Sequence, residues 1–140
     1  MNGKRILLGG LAAGVFINAG EAILNAGILM DDYEAMTATY GLTEASWAMA
    51  GYIAGSFVFA FAIAWLYAAI RPRFGPGPRT AVLAGALVWV VGNAVPTIWF
   101  MAMGLAFGAG ATLLIVVWGF AEMVLAGMIA GWLYREAGEG

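Results

Sequence analysis

Apolar residues run along the chain in four long stretches broken by short polar or proline-rich segments: Ile6 to Met30, Trp47 to Ile70, Thr80 to Met103 and Ala109 to Tyr134. Each exceeds the roughly 20 residues a helix needs to cross about 30 Å of hydrocarbon. The pattern predicts an all-α integral membrane four-helix bundle, a single membrane domain over residues 1–140 with spans at about 6–30, 47–70, 80–103 and 109–134. The first stretch has the outline of a secretory signal, with Lys4 and Arg5 before an apolar run. Its run is too long for a signal core and carries Asn18 and Glu21, so it is expected to remain as a span.

The inner connection Arg71-Pro72-Arg73-Phe74-Gly75-Pro76-Gly77-Pro78-Arg79 holds three of the four prolines, and is expected to form a stiff basic turn that continues neither helix. Asp31 to Ser46 is expected to be a longer outer loop. Trp47, Trp65, Trp99, Trp132, Tyr67 and Tyr134 fall toward span ends, where amphipathic rings favour the headgroup region.

Charge fixes the expected direction. All six basic residues, Lys4, Arg5, Arg71, Arg73, Arg79 and Arg135, lie before the first span, between the second and third, or after the fourth. The opposite loops carry Asp31, Asp32, Glu34 and Glu44 and no base. This bias predicts cytoplasmic termini in a multi-pass protein of a cell membrane, such as a bacterial inner membrane. Composition agrees: 64% of the 140 residues are apolar, 10% are charged, and mean hydropathy is +0.91, whereas soluble domains carry about 25% charge.

Two short likenesses suggest an internal repeat. Ile63-Ala64-Trp65-Leu66-Tyr67 matches Ile129-Ala130-Gly131-Trp132-Leu133-Tyr134 with one gap, and Asn18-Ala19 matches Asn93-Ala94. Apolar composition alone can produce such matches, so a 2+2 helical-hairpin repeat and a chance likeness both stay open. Glycines four apart (Gly10 and Gly14, Gly51 and Gly55, Gly104 and Gly108, Gly127 and Gly131) would let helices approach closely, within one bundle or between copies of the chain.

The polar residues inside the spans carry the candidate chemistry: Asn18, Glu21, Asn25, Ser56, Asn93, Thr97 and Glu122. Asn18, Glu21 and Asn25 share one helix face by their spacing, and Asn93 and Thr97 are four apart with Pro96 between them. At about 1.5 Å per residue from the cytoplasmic ends, Asn18 and Glu122 lie roughly 18 Å deep, Asn93 about 20 Å, Ser56 about 21 Å and Glu21 about 22 Å. They form one layer near the midplane and are expected to face inward. With every base at the membrane edge, Glu21 and Glu122 must be protonated, bound to a cation, hydrated or paired with another protein.

Three roles stay open. These residues form a site for a proton, a cation or a small polar or cationic solute; or the acids clamp helices together by hydrogen bonds; or they meet another subunit of a homo-oligomer or larger membrane complex, to which the chain is a structural or accessory part. The absence of histidine and cysteine removes the usual catalytic base, zinc ligands and thiol nucleophile, and the only aspartates, Asp31 and Asp32, lie in an outer loop. No enzymatic activity, metal or cofactor is expected. A net charge of −2 without a basic, aromatic-lined groove argues against a nucleic-acid partner. The lipid bilayer is the one certain partner.

In helix number and in Glu21 the chain resembles the small multidrug resistance transporters, which implies exchange of protons for cationic solutes at such a glutamate. More extensively, its start Lys4-Arg5-Ile6-Leu7-Leu8-Gly9-Gly10 and the stretch Trp65-Leu66-Tyr67-Ala68-Ala69-Ile70-Arg71-Pro72-Arg73-Phe74-Gly75-Pro76-Gly77 resemble a group of small bacterial four-helix membrane proteins to which no activity is attached. That resemblance implies the topology and a bacterial membrane.

Overall fold

The computed structural model describes residues 1–105 and 107–135, and among them all regular structure is helical. In chain order the elements are α1 (Gly3–Ala22), a π-helical turn (Ile23–Ile28), α2 (Met30–Tyr40), α3 (Ala48–Phe74), α4 (Pro78–Trp89), a second π-helical turn (Val90–Ala94), α5 (Val95–Ala102) and α6 (Ala109–Leu133). Four continuous helical rods result, at Gly3–Ile28, Ala48–Phe74, Pro78–Ala102 and Ala109–Leu133, each long and apolar enough to cross a bilayer. The chain is a small multi-pass membrane protein built as a four-helix bundle.

Two connections differ from expectation. α3 runs through Pro72 to Phe74, so the basic turn shrinks to Gly75–Gly77. Pro72 lies in the last turn, where the loss is its own missing N–H to the Ala68 carbonyl, and the helix stops soon after at Gly75. Gly75 has φ +83° and gives its N–H to the Arg71 carbonyl at 2.9 Å. The outer segment is not all loop either. Its first part forms α2, with Asp31 and Asp32 in the first turn, where negative charge complements the helix dipole, and Gly41 at φ +61° ends it. α2 is tied to the end of the other hairpin where α5 gives way to α6. Tyr40 donates to the Gly104 carbonyl at 2.6 Å, and the Tyr33 ring meets Phe107 edge-on at 4.8 Å.

α1 packs chiefly on α3, and α4 chiefly on α6. The hairpins join along α1–α6, α3–α4 and a central α3–α6 contact. Small residues set the spacing. Gly10 and Gly14 of α1 receive the rings of Phe61 and Phe57, while Gly85 of α4 and Gly127 of α6 lie against the backbone of the facing helix. In contrast, Gly51 is approached only by Trp47, one turn before it, and Gly55, Gly104 and Gly108 face open space. Two of the four glycine pairs therefore serve packing inside the bundle. The core between the hairpins is formed by Ala13, Ile17, Ala60, Ile63, Ala64, Met123, Ala126 and Ala130.

At the end of the bundle where the chain begins, the hairpins cap each other reciprocally. The Tyr67 hydroxyl of α3 accepts the N–H of Gly77, the N-cap of α4, at 3.2 Å. Tyr134, just after α6, accepts the N–H of Asn2, the N-cap of α1, at 3.0 Å. The two rings meet edge-on at 5.8 Å. Each half thus satisfies an orphan donor at the start of the other, as a parallel two-fold repeat of a helical hairpin would. This corrects one expectation. Tyr67 and Tyr134 are buried inside the bundle end, while Trp47, Trp65, Trp99 and Trp132 stay exposed on the rods as interfacial rings do.

Candidate functional site

Glu122 lies on the inner face of α6, only 4% exposed, directly over Gly20 of α1. The absence of a side chain at Gly20 makes its room, since a Cβ there would collide with Glu122 Oε1. Across this contact the Glu122 carboxyl interacts with that of Glu21, and the indole N–H of Trp118, one turn earlier on α6, is beside it. Neither Glu122 oxygen makes a hydrogen bond of good geometry among the described residues, although the Glu21 carboxyl and the Trp118 indole are close enough to act on it. Glu21 is held from its own helix. Asn25 donates to Glu21 Oε2 at 2.6 Å and to the Glu21 carbonyl at 2.8 Å, from within the first π-helical turn.

The second π-helical turn carries Asn93, whose amide lies against Gly119 of α6, with Nδ2 2.7 Å from where a Cβ would stand. Gly119 is three residues before Glu122, so Asn93 sits one helical turn from the acid pair. Its Oδ1 is buried and unpartnered, as are the indole nitrogens of Trp89 and Trp118. Trp89 precedes Asn93 by four residues, and Trp118 precedes Glu122 by four. Buried polar atoms are nearly always satisfied, so the five in these four residues, both Glu122 oxygens, Asn93 Oδ1 and the two indole nitrogens, stand out as lacking a hydrogen-bond partner. Single-turn π segments, which widen a helix and redirect side chains, also favour functional positions.

A cavity of about 400 Å³ lies between α2, α3, the third span and α6, lined among others by Tyr33, Tyr52, Asn93, Thr97, Phe100 and Phe107, with neither Glu21 nor Glu122 in its wall. Tyr33 links it to the acids. Burial pushes its phenol above the usual 10.0, and the charges of Glu21, Tyr52 and Glu44 add to the effect, which places Tyr33 within electrostatic reach of Glu21.

The expected residues thus separate. Glu21, Asn25 and Glu122 come together, with Asn93 one turn away and Thr97 beside it in the cavity wall. Asn18 instead turns back to donate to the Gly14 carbonyl at 2.8 Å, and Ser56 donates to the Tyr52 carbonyl at 3.0 Å. Each satisfies itself on its own helix, so the expected meeting of Asn18 with the acids is not made by a hydrogen bond. Trp89 and Trp118 were not among the expected residues. Their signal is in the sequence: tryptophans at mid-span rather than at a span end, each one turn before a polar side chain.

No family model, curated protein or solved structure matches this chain.

Proposed function

We propose that this membrane protein binds a positive charge, a proton or a small cation, between Glu21 and Glu122, and that the outer cavity gives solute access to the pair in a binding or transport role. One observation carries the reading: two carboxyl groups face each other inside the bundle, one of them buried with both oxygens unpartnered, and no base is near. The closest basic residue on α1 is Arg5, about 24 Å along the helix axis from Glu21. Two acids in such surroundings require a compensating positive charge. The basic end, with Lys4, Arg5, Arg71, Arg73, Arg79 and Arg135, is assigned to the cytoplasm of a bacterial cell, so the cavity opens toward the outer side.

The test is reconstitution in vesicles. Glu21→Gln or Glu122→Gln is expected to abolish pH-dependent solute binding or flux while the helical fold persists. Unchanged pH dependence in both variants would overturn the assignment. A second reading, an accessory subunit of a larger assembly, is favoured by the uncovered Gly55 on α3, where another helix has room to approach. An isolated monomer in mild detergent, with no co-purifying partner, counts against it.

A further inference from the structure

A proton, a metal ion and an organic cation each carry the positive charge that Glu21 and Glu122 require, and the surroundings of the two carboxyls discriminate among them. The cavity of about 400 Å³ has neither acid in its wall, so an organic cation resting there does not touch the charge it would balance. Around Glu122 itself room is short. The side chain is 4% exposed, and even a Cβ at Gly20 would collide with its Oε1.

A hard metal ion exchanges its hydration shell for about six oxygens. Among the described residues no third acid joins the pair, and the neighbouring side chains present the wrong atoms. Asn25 turns its amide nitrogen to Glu21, donating to Oε2 at 2.6 Å and to the Glu21 carbonyl at 2.8 Å. Both partners are acceptors, so the amide cannot turn its oxygen to them without losing both bonds. Trp118, beside Glu122, has only an N–H to offer. Such groups aim their positive ends at the carboxyls, which holds a carboxylate in place but competes with a metal ion for the same oxygens. A proton needs no further oxygen, because a carboxylic acid donates its O–H to a facing carboxylate.

We propose that the positive charge held between Glu21 and Glu122 is a single proton, and that the site is closed to metal ions. The inference rests on the reading that the pair holds an exchangeable positive charge, and it names that charge. One carboxyl keeps the proton and donates it to the other, while the N–H groups of Asn25 and Trp118 face the one negative charge that remains. Few other titratable groups act on the pair. From α2, Tyr33 is within electrostatic reach of Glu21, and behind it stand Tyr52 of α3 and Glu44. Burial raises the Tyr33 phenol above the usual 10.0, so it stays neutral while the acids titrate. Glu122 is the only titratable residue of α6, and the third span contributes only Arg79, in the first turn of α4 at the basic end, where Tyr67, Arg71 and Arg73 of α3 also lie.

The carboxylic-acid C=O band of the full chain in nanodiscs, followed by infrared difference spectroscopy across pH, tests this with sodium, potassium, lithium or calcium exchanged for N-methylglucammonium at constant ionic strength. A metal ion that displaces the proton lowers the midpoint of the band by about one pH unit for each tenfold rise in its concentration. A pair that takes only a proton is expected to keep its midpoint within about 0.3 pH unit in every ion, since the exchange leaves screening unchanged. Asn25→Leu removes a donor to the ionised carboxyl and keeps side-chain volume, and is expected to raise the midpoint by about one pH unit or more. Because that variant can disturb the π-helical turn, the ion series on the unmodified protein stands as the independent measurement. A midpoint that falls as any of the four metal ions rises, or an Asn25→Leu variant of unchanged helical content whose midpoint does not rise, overturns the inference. If a C=O band titrates but follows a metal ion, this inference alone falls; if no band titrates, the reading beneath it falls too.

Discussion

Replacing Glu122 by methionine separates a binding site from a helix clamp by the sign of one free energy. Glu122 is 4% exposed, both its oxygens lack partners, and it faces a second acid. Leaving a buried polar group unsatisfied costs about 1–3 kcal/mol in proteins. Methionine has nearly the same length, is unbranched where the carboxyl passes over Gly20, and carries no group that needs a partner. Glu122→Met is therefore expected to stabilise the bundle by about 1–3 kcal/mol. It should abolish the solute response at the same time, the trade that a site maintained for function implies. Reversible unfolding in mixed micelles of mild detergent and dodecyl sulfate measures the change, with Glu122→Gln as the polar comparator expected to stay near the parent. A clamp predicts the opposite, since removing a hydrogen-bonded tie between α1 and α6 would loosen the bundle by a similar amount. Destabilisation of Glu122→Met by 1 kcal/mol or more would refute the reasoning.

Gly85→Ala and Gly127→Ala should each destabilise by about 1–3 kcal/mol or more, because the new Cβ meets backbone of the facing helix that has no rotamer to escape into; helical content and melting in detergent report it. Tyr33→Phe should remove an alkaline limb of the stability profile. Since the folded phenol titrates above the usual 10.0, its contribution is complete below that pH and is lost as pH rises through the raised value, which denaturant midpoints across that range can follow. The chain contains no cysteine, so Ala38→Cys and Pro76→Cys report sidedness directly: in sealed cells an impermeant thiol reagent should label position 38 and spare position 76, and the reverse pattern would overturn the orientation.

The four rods were legible because a span must be apolar over its whole length, a signal that needs no partner. The juxtaposition of Glu21 and Glu122 was legible for a related reason: an acid in lipid has nowhere to turn but inward. Asn18 and Ser56 were harder to place because an amide or hydroxyl can satisfy itself on the carbonyl one turn back. Acids cannot do this, having no donor when ionised. The π-helical turns leave no mark in the hydropathy pattern, so the pairing of Asn25 with Glu21 and of Asn93 with Gly119 emerged only with the backbone. Tyr67 and Tyr134 mislead in sequence because an interfacial ring and a buried capping ring occupy the same span-end positions. What distinguishes them is the presence of an N-cap from the other hairpin within reach of each hydroxyl.

The central claim is that Glu21 and Glu122 hold an exchangeable positive charge between them. Infrared difference spectra of the reconstituted protein across a pH step read this at the carboxyl groups themselves. The account predicts a carboxylic-acid C=O band that changes with pH and disappears in both Glu122→Gln and Glu21→Gln. A band that is absent from the parent, or that persists unchanged in both variants, would contradict it.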